Sequence, residues 1–324
     1  MKAIIPAAGI GTRLRPHTHT APKALLHVAG KPILGHILDE VRAYGIRDIV
    51  IIIGFMGDQI VEYVRKNYPA VNATFVTQEE LKGLGWAIYL AREHFQKEPI
   101  LIILGDTIFE TDLNKVINGE YDSIGTKTVE DPRRFGIAET DGQFVTALTE
   151  KPEHPTSNLA LVGIYYIKST ELFTKSLNEL VEKDIKTRGE YQLTDALSLM
   201  LRKGAKITTF NVEGWFDCGK PDALLATNRY LLSLIKSTDH REGNVIIPPV
   251  FISPSAVLEH SVVGPFVSVG DNSRIIRSIV KDSIISESAE VIDSVLDSSL
   301  VGNNSSLSGH YQKVNLGDSS EIGY

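Results

Sequence analysis

Along positions 1–210, segments whose apolar residues follow the pattern of a strand alternate with segments whose apolar residues follow the pattern of a helix. Continuous apolar runs occupy residues 3–5, 49–53, 73–76 and 100–104, and they predict buried strands. Between them, residues 33–44 and 58–66 have a helical pattern, and Gly45 stands where a helix C-cap is expected. Buried strands that alternate with helices predict an α/β fold, with a Rossmann-like mixed, mainly parallel sheet covered by helices on both faces.

A different pattern begins near residue 244. An aliphatic residue recurs at positions 252, 269, 285, 301 and 316, and the intervals between these positions are nearly equal. Each recurrence places Ala or Ser at the fifth position, and further aliphatic residues follow six positions later. This hexapeptide-type repeat predicts a C-terminal left-handed parallel β-helix with roughly three hexapeptides per turn. After a helix over 221–234 and a polar link over 237–243, we therefore expect two domains, 1–236 and 244–324.

Composition narrows the class of protein. The chain has 324 residues, of which 43% are hydrophobic and 23% charged, and its net charge is −7. Without a cluster of Lys or Arg, this charge argues against nucleic acid as a partner. Cys218 is the only cysteine, so an intrachain disulfide is excluded and a reducing compartment is favoured. No apolar run approaches the ~18 residues of a membrane span, and we expect a cytoplasmic protein without a membrane partner.

The most informative motif follows the first predicted strand. Residues 7–14 read AAGIGTRL, and Pro22-Lys23 comes shortly afterwards. Successive backbone N–H groups in a glycine-rich turn form an anion-binding nest, to which Arg and Lys add positive charge. The loop lacks the Gly-Lys-Ser/Thr of a Walker A motif, and Leu14 replaces the last glycine of a dinucleotide fingerprint. We interpret it as a cradle for a triphosphate.

Three segments of this region, 9–16, 20–25 and 30–32, resemble the signature of the sugar-1-phosphate nucleotidyltransferases. The resemblance is strongest to the glucose-1-phosphate thymidylyltransferases, in the long form with a C-terminal β-helix, and to the uridylyltransferases, and it extends over most of positions 1–230. Members of this family join a nucleoside triphosphate to a sugar 1-phosphate and release pyrophosphate. The resemblance implies Mg²⁺ as cofactor, dTTP or UTP as nucleotide, and glucose 1-phosphate as the sugar substrate.

Asp106 follows the apolar run 100–104, at the carboxyl edge of the sheet where ligands of such folds bind. A carboxylate there suits Mg²⁺, and the resemblance adds Asp217 as the second metal ligand. The amide of Gln78 suits the O4/N3–H edge of uracil or thymine, and Gly83 is expected to let the base lie against the backbone. The resemblance implies these further roles: catalysis by Arg13, Lys23 and Asp106; nucleotide binding by Ala8, Gly9, Gly11, Thr12, Arg13, Gln78 and Gly83; sugar-phosphate binding by Gly136, Glu150, Lys151, Val162 and Arg188.

The sequence departs from the family pattern at three places near these residues. Thr107 follows Asp106 where Asn is frequent, Trp86 stands where Gln or His is common, and Lys220 replaces a threonine. None of these changes removes a charged catalytic group. We expect Trp86 to line the wall of the base or ribose site, which leaves the nucleotide preference open.

Several functions remain open from the sequence. The same chemistry with GTP, CTP or mannose 1-phosphate is one alternative, and a non-catalytic regulatory subunit of this fold is another. Some β-helices of this type are acyltransferases that need a base such as histidine, and the tail offers His260 and His310. We favour an oligomerisation or packing role for the tail, and expect a homo-oligomer formed through the β-helix.

Overall fold

The computed structural model describes residues 1–95, 97–235 and 239–309. The chain divides into two compact units. The first comprises Met1–Leu26 and Lys31–Leu224, and the second comprises His27–Gly30 and Leu225–Tyr324. The expected domains 1–236 and 244–324 stay a prediction, and the units differ from them by placing residues 27–30 and most of the last helix with the tail. His310, the repeat at 316 and part of the polar link lie outside the described residues.

Helices form where the sequence has a helical apolar period. The first begins directly after Pro32, whose fixed φ suits a helix start, and it ends two residues before Gly45, which adopts a φ of 77°. The C-cap residue is therefore Tyr44, and Gly45 follows it in the left-handed conformation that ends many helices. The α-helices are α1 (Ile33–Ala43), α2 (Gly57–Asn67), α3 (Leu84–Leu90), α4 (Leu113–Ile117), α5 (Thr170–Glu182), α6 (Leu193–Arg202) and α7 (Pro221–Ser233). Within the described residues, no helix combines the length and the apolar character that crossing a bilayer requires.

A mixed sheet of nine strands forms the centre of the first unit, in the order β5-β4-β1-β6-β11-β8-β12-β10-β9. The four strands β5, β4, β1 and β6 are mutually parallel, and β11 and β10 run antiparallel to their neighbours. Its strands are β1 (Lys2–Pro6), β4 (Asp48–Ile53), β5 (Asn72–Thr77), β6 (Ile100–Ile103), β8 (Asp122–Thr128), β9 (Gly136–Asp141), β10 (Phe144–Glu150), β11 (Leu159–Ile167) and β12 (Ile207–Asn211). The predicted α/β class and mixed sheet are confirmed.

Burial on both faces explains the continuous apolar runs of β1, β4 and β6. The prediction of a buried strand is wrong for the run 73–76, because β5 is an edge strand and none of its residues is fully buried. Every residue of β6 is buried, and Ile4 in β1 packs in one core cluster with residues of α3, α5 and α6. Successive side chains of a strand point to opposite faces, so the buried Ala3 and Ile5 lie on the other side of the sheet. Outside the large sheet lie the pair β7 (Thr107–Glu110) and β13 (Gly214–Asp217) and the short strands β2 (His27–Val28) and β3 (Lys31–Pro32).

The second unit contains three parallel four-stranded sheets, as a three-sided parallel β-helix requires. The recurring aliphatic residues of the sequence pair with one another: Ile252 with Val269, and Val269 with Ile285 in the next turn. Ile285 pairs in the same way with Val301, so one repeat of the sequence is one turn of the helix. The sheets are β14 (Val245–Ile246), β17 (Val262–Val263), β20 (Ile279–Lys281) and β23 (Val295–Asp297); β15 (Val250–Ile252), β18 (Val267–Val269), β21 (Ile284–Ile285) and β24 (Leu300–Val301); and β16 (Val257–Glu259), β19 (Arg274–Ile276), β22 (Glu290–Ile292) and β25 (Ser306–Ser308).

The repeated residues have the expected places. Aliphatic side chains such as Val263, Ile275 and Val280 are fully buried in the interior, and the small residues Ser273 and Ala289 are buried beside the corners. The corners use residues with left-handed φ values between 47° and 61°, which shorten each turn. This architecture is consistent with the predicted left-handed β-helix.

Candidate active site

The carboxyl ends of β1 and β6 meet at one point of the sheet edge. The N–H of Gly105 donates to the carbonyl oxygen of Pro6 at 2.9 Å. A Cβ on Gly105 would lie 2.8 Å from that oxygen and 3.0 Å from the Cβ of Ala7, so only glycine allows this approach. The glycine loop that follows β1 and Asp106 that follows β6 are thereby brought together, as the sheet topology predicts.

Lys23 lies on a short 3₁₀ turn, Lys23–Leu25, which we call the Lys23 turn. Its ammonium group pairs with the carboxylate of Asp106 and lies 3.8 Å from Oδ1 of Asp217. Only 10% of its side chain is exposed. Gly11, with a φ of 69°, brings the loop against the stem of Lys23, and a Cβ on Gly11 would stand 3.1 Å from the Cβ of Lys23. The loop and the lysine therefore form one packed arrangement.

Pairing of β7 with β13 explains why two carboxylates that are distant in the sequence lie together. In this antiparallel pair Asp217 stands opposite Thr107, and the N–H of Cys218 donates to the carbonyl oxygen of Asp106 at 3.0 Å. Asp106 and Asp217 keep 33% and 43% of their side chains exposed. Because Mg²⁺ prefers hard oxygen donors and takes one or two protein carboxylates, this pair fits a magnesium ion. Within the described residues there is no cluster of three or more His, Cys, Asp or Glu residues arranged for a metal.

A first cavity of about 300 Å³ opens beside the glycine loop. Its polar wall includes Gln78, which is 6% exposed and whose Nε2 donates to the carbonyl oxygen of Glu80 at 3.1 Å. Of the predicted nucleotide-binding residues, Ala8, Gly9, Gln78 and Gly83 line this cavity, whereas Gly11 and Thr12 do not. The complete lining is Pro6, Ala7, Ala8, Gly9, Lys23, Ala24, Gln78, Leu81, Gly83, Leu84, Ala87, Leu104, Gly105, Asp106 and Glu190.

Gly83 has a structural reason to be glycine in addition to the predicted contact with a base. Its φ is 104°, and a Cβ would lie 2.5 Å from the carbonyl oxygen of Tyr191. The N–H of Tyr191 donates to the carbonyl oxygen of Lys82, and the N–H of Gly85 to that of Tyr191, both at 2.8 Å. The missing side chain therefore makes room for the chain at Tyr191, and the expected contact between Gly83 and a base stays a prediction.

The expectation that Trp86 lines the base or ribose wall stays a prediction, and the structure places Trp86 outside the lining of the first cavity. On α3, Leu84 and Ala87 face the cavity, and Trp86 is not in its lining. The indole stacks on Tyr89 and Tyr191, with ring centroids 5.3 and 5.9 Å apart. The helical period of 3.6 residues rotates Trp86 away from the face that Leu84 and Ala87 share.

A second cavity, of about 210 Å³, adjoins the first, and Leu84, Leu104 and Asp106 line both. Arg13 lies here rather than in the first cavity, and a Cβ on Gly219 would stand 2.8 Å from its guanidinium. Asp217 also lines the second cavity. The two acidic residues and the two basic ones that sequence analysis selected for catalysis or metal binding therefore surround the junction between the cavities.

The wall of the second cavity includes three of the predicted sugar-phosphate residues, Gly136, Glu150 and Val162. Glu150 is 9% exposed at its side chain, and its Oε2 accepts a hydrogen bond of 2.7 Å from Oγ1 of Thr194. Its Oε1 lies 3.3 Å from Nζ of Lys151. Thr194 thus holds a nearly buried carboxylate in one orientation toward the cavity.

Lys151 and Arg188, also predicted to bind the sugar phosphate, are not in this wall. Arg188 donates from its guanidinium to the carbonyl oxygen of Lys151 at 2.8 Å. Both residues adopt left-handed φ values, 42° and 54°, so local turns bring them together. Lys151 thus lies beside Glu150, Arg188 is bonded to the backbone of Lys151, and neither belongs to the lining.

Several lining residues escaped sequence analysis. Tyr165 belongs to the apolar run of β11, where it is indistinguishable from core, and its burial raises the pKa of its hydroxyl. Trp215 and Phe135 pack edge to face with their ring centroids 5.0 Å apart, and Arg134 lines the same cavity. For Arg134 and Trp215, the signal in the sequence was that they lie two positions before the motif residues Gly136 and Asp217.

Asp195, one residue after Thr194, has a buried Oδ2 without a hydrogen-bond partner. Burial raises the pKa of its carboxyl, Thr187 opposes this by a hydrogen bond, and the negative charge of Glu150 adds to the rise.

The two other residues that depart from the family pattern are Thr107 and Lys220. Thr107 is buried and its Oγ1 lies 3.4 Å from Oδ1 of Asp106, whereas Lys220 is exposed.

Comparison with known proteins agrees with this geometry. Residues 2–233 match the family model described as nucleotidyl transferase. The chain is 32% identical to glucose-1-phosphate thymidylyltransferase from Streptomyces antibioticus, with 99% of each protein covered. It is 39% identical over 256 residues to the bifunctional protein GlmU from Methanocaldococcus jannaschii, a match that covers 76% of this chain and 59% of that protein's length.

A solved structure is similar as well. It is a Bacillus anthracis protein provisionally assigned as a glucose-1-phosphate thymidylyltransferase, in complex with sucrose. The two structures superpose with a TM-score of 0.62 at 30% identity, covering 74% of this chain and 98% of the other. The family model spans well over half of the chain and includes every residue at the junction of the two cavities. This protein therefore belongs to the nucleotidyl transferase family.

Proposed function

We propose that this protein transfers a nucleotidyl group from a nucleoside triphosphate to a sugar 1-phosphate, with release of pyrophosphate. The favoured substrates are dTTP or UTP and glucose 1-phosphate, and the reaction depends on Mg²⁺. The observation that carries this proposal is the pair of adjoining cavities with Lys23, Arg13, Asp106 and Asp217 around their junction. One cavity suits the nucleotide and the other the sugar phosphate, and the reacting phosphates would meet between them.

The reaction needs neutralisation of the phosphate charges more than it needs a general base. A sugar phosphate has a second pKa of ~6, so its oxygen is already an anionic nucleophile at neutral pH. It forms a bond to the α-phosphorus while the bond to pyrophosphate breaks in line. Lys23 is held almost buried beside the junction, and Arg13 lies on the side of the second cavity. We assign them to the phosphate charges that meet and separate there.

Asp106 and Asp217 would hold Mg²⁺, which supplies positive charge against the phosphates and orients them when bound. In the structure the ammonium of Lys23 pairs with Asp106 and lies near Asp217. This lysine balances the two carboxylates in the free protein, and the phosphates offer it a new partner when substrate binds. The chain's own contribution is thus a fixed pair of carboxylates and one cation that exchanges partners.

Recognition of the substrates is assigned to the two walls. Gln78 offers both a donor and an acceptor, which matches the O4/N3–H edge that uracil and thymine share. Glu150 is oriented by Thr194 and suits the hydroxyl groups of a sugar. A thymidylyltransferase that aligns over 99% of both chains supports dTTP and glucose 1-phosphate as the first pair to test.

The test is pyrophosphate release with dTTP, UTP, CTP, GTP and ATP, each against glucose 1-phosphate and mannose 1-phosphate, with and without Mg²⁺. Turnover with one pairing that Asp106→Asn abolishes would support the proposal. Asp112→Asn is the matched control, because Asp112 caps α4 by accepting from the N–H of Asn114, and an asparagine caps equally well. Nucleotide binding without turnover for any pairing, or no binding at all, would contradict it.

A further inference from the structure

Four residues between the Lys23 turn and α1 belong to the second unit. Residues 27–30, which we call the 27–30 loop, are grouped with the β-helix, whereas the chain on either side is grouped with the first unit. The loop is tightly bent, because Ala29 and Gly30 both adopt left-handed φ values, of 46° and 87°. Alanine seldom adopts this conformation, so contacts around the loop must hold it.

One such contact is an aromatic ring. A Cβ built on Gly30 would lie 2.5 Å from two carbons of the Phe251 ring, so the loop backbone is in direct contact with that ring. Phe251 lies in β15 between Val250 and Ile252, whose side chains are buried in the β-helix. Alternation along the strand places the ring on the outer side of this sheet.

The other contact is the side-chain amide of Asn228 on α7, which is fully buried. Its Oδ1 accepts from the N–H of Ala29 at 2.9 Å and from Oγ of Ser268 at 2.6 Å. Its Nδ2 donates to the carbonyl oxygen of Phe266 at 3.1 Å. A single amide therefore ties the strained residue of the loop to two positions of the β-helix.

The loop connects directly to the Lys23 turn. Leu26 precedes the loop, and its N–H donates to the carbonyl oxygen of Lys23 at 3.1 Å. The carbonyl oxygen of Leu26 accepts from the N–H of Ile33 at 3.0 Å. This hydrogen bond joins the two ends of the segment that contains the loop. The first residue of the loop is bonded to Leu26, so movement of the loop at this end also moves Leu26. The N–H of Leu26 forms one of the two hydrogen bonds of the Lys23 turn, and the N–H of Leu25 forms the other by donating to the carbonyl oxygen of Pro22 at 2.8 Å.

We infer that Asn228 is a positioning residue for Lys23. By fixing the backbone of Ala29, it restrains Leu26 and thereby keeps the Lys23 turn in the conformation that aims the ammonium at the carboxylates. Its effect on turnover rests on the proposed function, whereas its effect on the order of the turn does not. The 27–30 loop then contributes to catalysis through the covalent chain, by restraining the Lys23 turn.

The experiment compares hydrogen exchange at the amides of Leu25 and Leu26 with turnover, in the full-length protein. Asn228→Ala removes the amide, and Phe251→Ala removes the ring from an outward position without emptying the β-helix interior. We expect each to increase exchange at these two amides about tenfold, the factor of ~1.4 kcal/mol in local stability. We expect kcat/KM to fall by a similar factor, and Lys23 to react faster with an amine reagent.

Two control variants remove comparable hydrogen bonds without releasing the loop. Ser268→Ala takes one donor from Asn228 but leaves the bond to Ala29. Asn244→Ala removes an amide that accepts from the N–H of Ser261 at 2.9 Å within the same unit. For both we expect exchange at the Lys23 turn within about twofold of the wild-type rate.

Unchanged exchange at Leu25 and Leu26 in both test variants would overturn the inference, as would equal increases in the controls. If the wild-type protein shows no turnover with any substrate pair, the proposed function fails, and the exchange and labelling rates still decide the role of Asn228.

Discussion

Gly9 offers the sharpest test of the triphosphate cradle. It lines the first cavity, and an ideal Cβ built on it meets no heavy atom within 4 Å. Its φ lies outside the left-handed region, so the backbone accepts alanine without strain. A Gly→Ala change at a compatible site stabilises a protein by about 0.4–1 kcal/mol, because it restricts the unfolded chain. We therefore expect Gly9→Ala to fold normally, with a slightly higher free energy of unfolding.

Nucleotide binding should respond in the opposite direction. If a phosphate group contacts the backbone at Gly9, the new methyl group occupies its place and weakens a hydrogen bond to a charged group. Such bonds contribute about 1.5–3 kcal/mol, which corresponds to an increase of about 10- to 150-fold in Kd. Calorimetric titration with dTTP and UTP measures this increase, and urea unfolding of the same samples measures stability.

Gly83→Ala is the matched comparison, since this glycine also lines the cavity but has no room for a side chain. A Cβ there would lie 2.5 Å from a carbonyl oxygen, at a φ of 104°. We expect Gly83→Ala to lower the free energy of unfolding by about 1–3 kcal/mol from backbone strain, with the clash in addition. Wild-type Kd values in a stable Gly9→Ala protein would refute a backbone cradle at this position.

Three further changes test the second cavity and the metal ligands. Asp217→Asn keeps the shape of the side chain and removes one negative charge, so we expect the Mg²⁺ concentration for half-maximal pyrophosphate release to rise about tenfold or more. Thr194→Val removes the donor that orients Glu150; we expect KM for the sugar phosphate to rise about 10- to 150-fold, and Thr194→Ser to restore it. Asp195→Asn removes a carboxyl whose pKa is raised by burial. The native state holds the proton of Asp195 more tightly than the unfolded state, so the wild type loses stability as pH rises from its unfolded pKa toward its folded pKa. We therefore expect Asp195→Asn to be more stable than the wild type at pH 7, with a difference that shrinks toward pH 4 in thermal unfolding.

Each of these three predictions would be contradicted by a specific result. An unchanged Mg²⁺ requirement in Asp217→Asn would remove that residue from the metal site. A normal KM in Thr194→Val would show that Glu150 does not contact the sugar phosphate. A stability difference for Asp195→Asn that stays constant from pH 4 to pH 7 would mean that its carboxyl titrates alike in both states.

Local patterns in the sequence were sufficient to predict the fold class. The apolar runs in β1, β4 and β6 are continuous because both faces of these strands are buried, and burial on both faces is a property of parallel sheets. The repeat in the tail predicted the register between turns of the β-helix, in which Val269 pairs with Ile285 and Ile285 with Val301, since each turn must return the chain to the same position. Such periodic features are visible in sequence because they are repeated along it.

The candidate site was only partly accessible by the same means. Motifs identified Lys23 and Asp106, because charged residues beside a proline or a glycine are distinctive, and the family resemblance identified Glu150. The sequence did not reveal that Trp86 lies outside the lining of the first cavity, and Tyr165 is hidden among the apolar residues of β11. Composition alone does not show in which direction a side chain points from a helix axis. It also does not show which face of a strand borders a cavity.

The sequence by itself determined the alternation of strands and helices, the turn length of the β-helix and the types of residue in the candidate site, because each depends on neighbours along the chain. Only the tertiary structure decided which of these residues meet. The register of β7 with β13 brings Asp217 beside Asp106, and Asn228 on α7 meets Ala29 near the start of the chain. Such contacts depend on how distant segments pack, and packing is a property of the whole chain that no local pattern records.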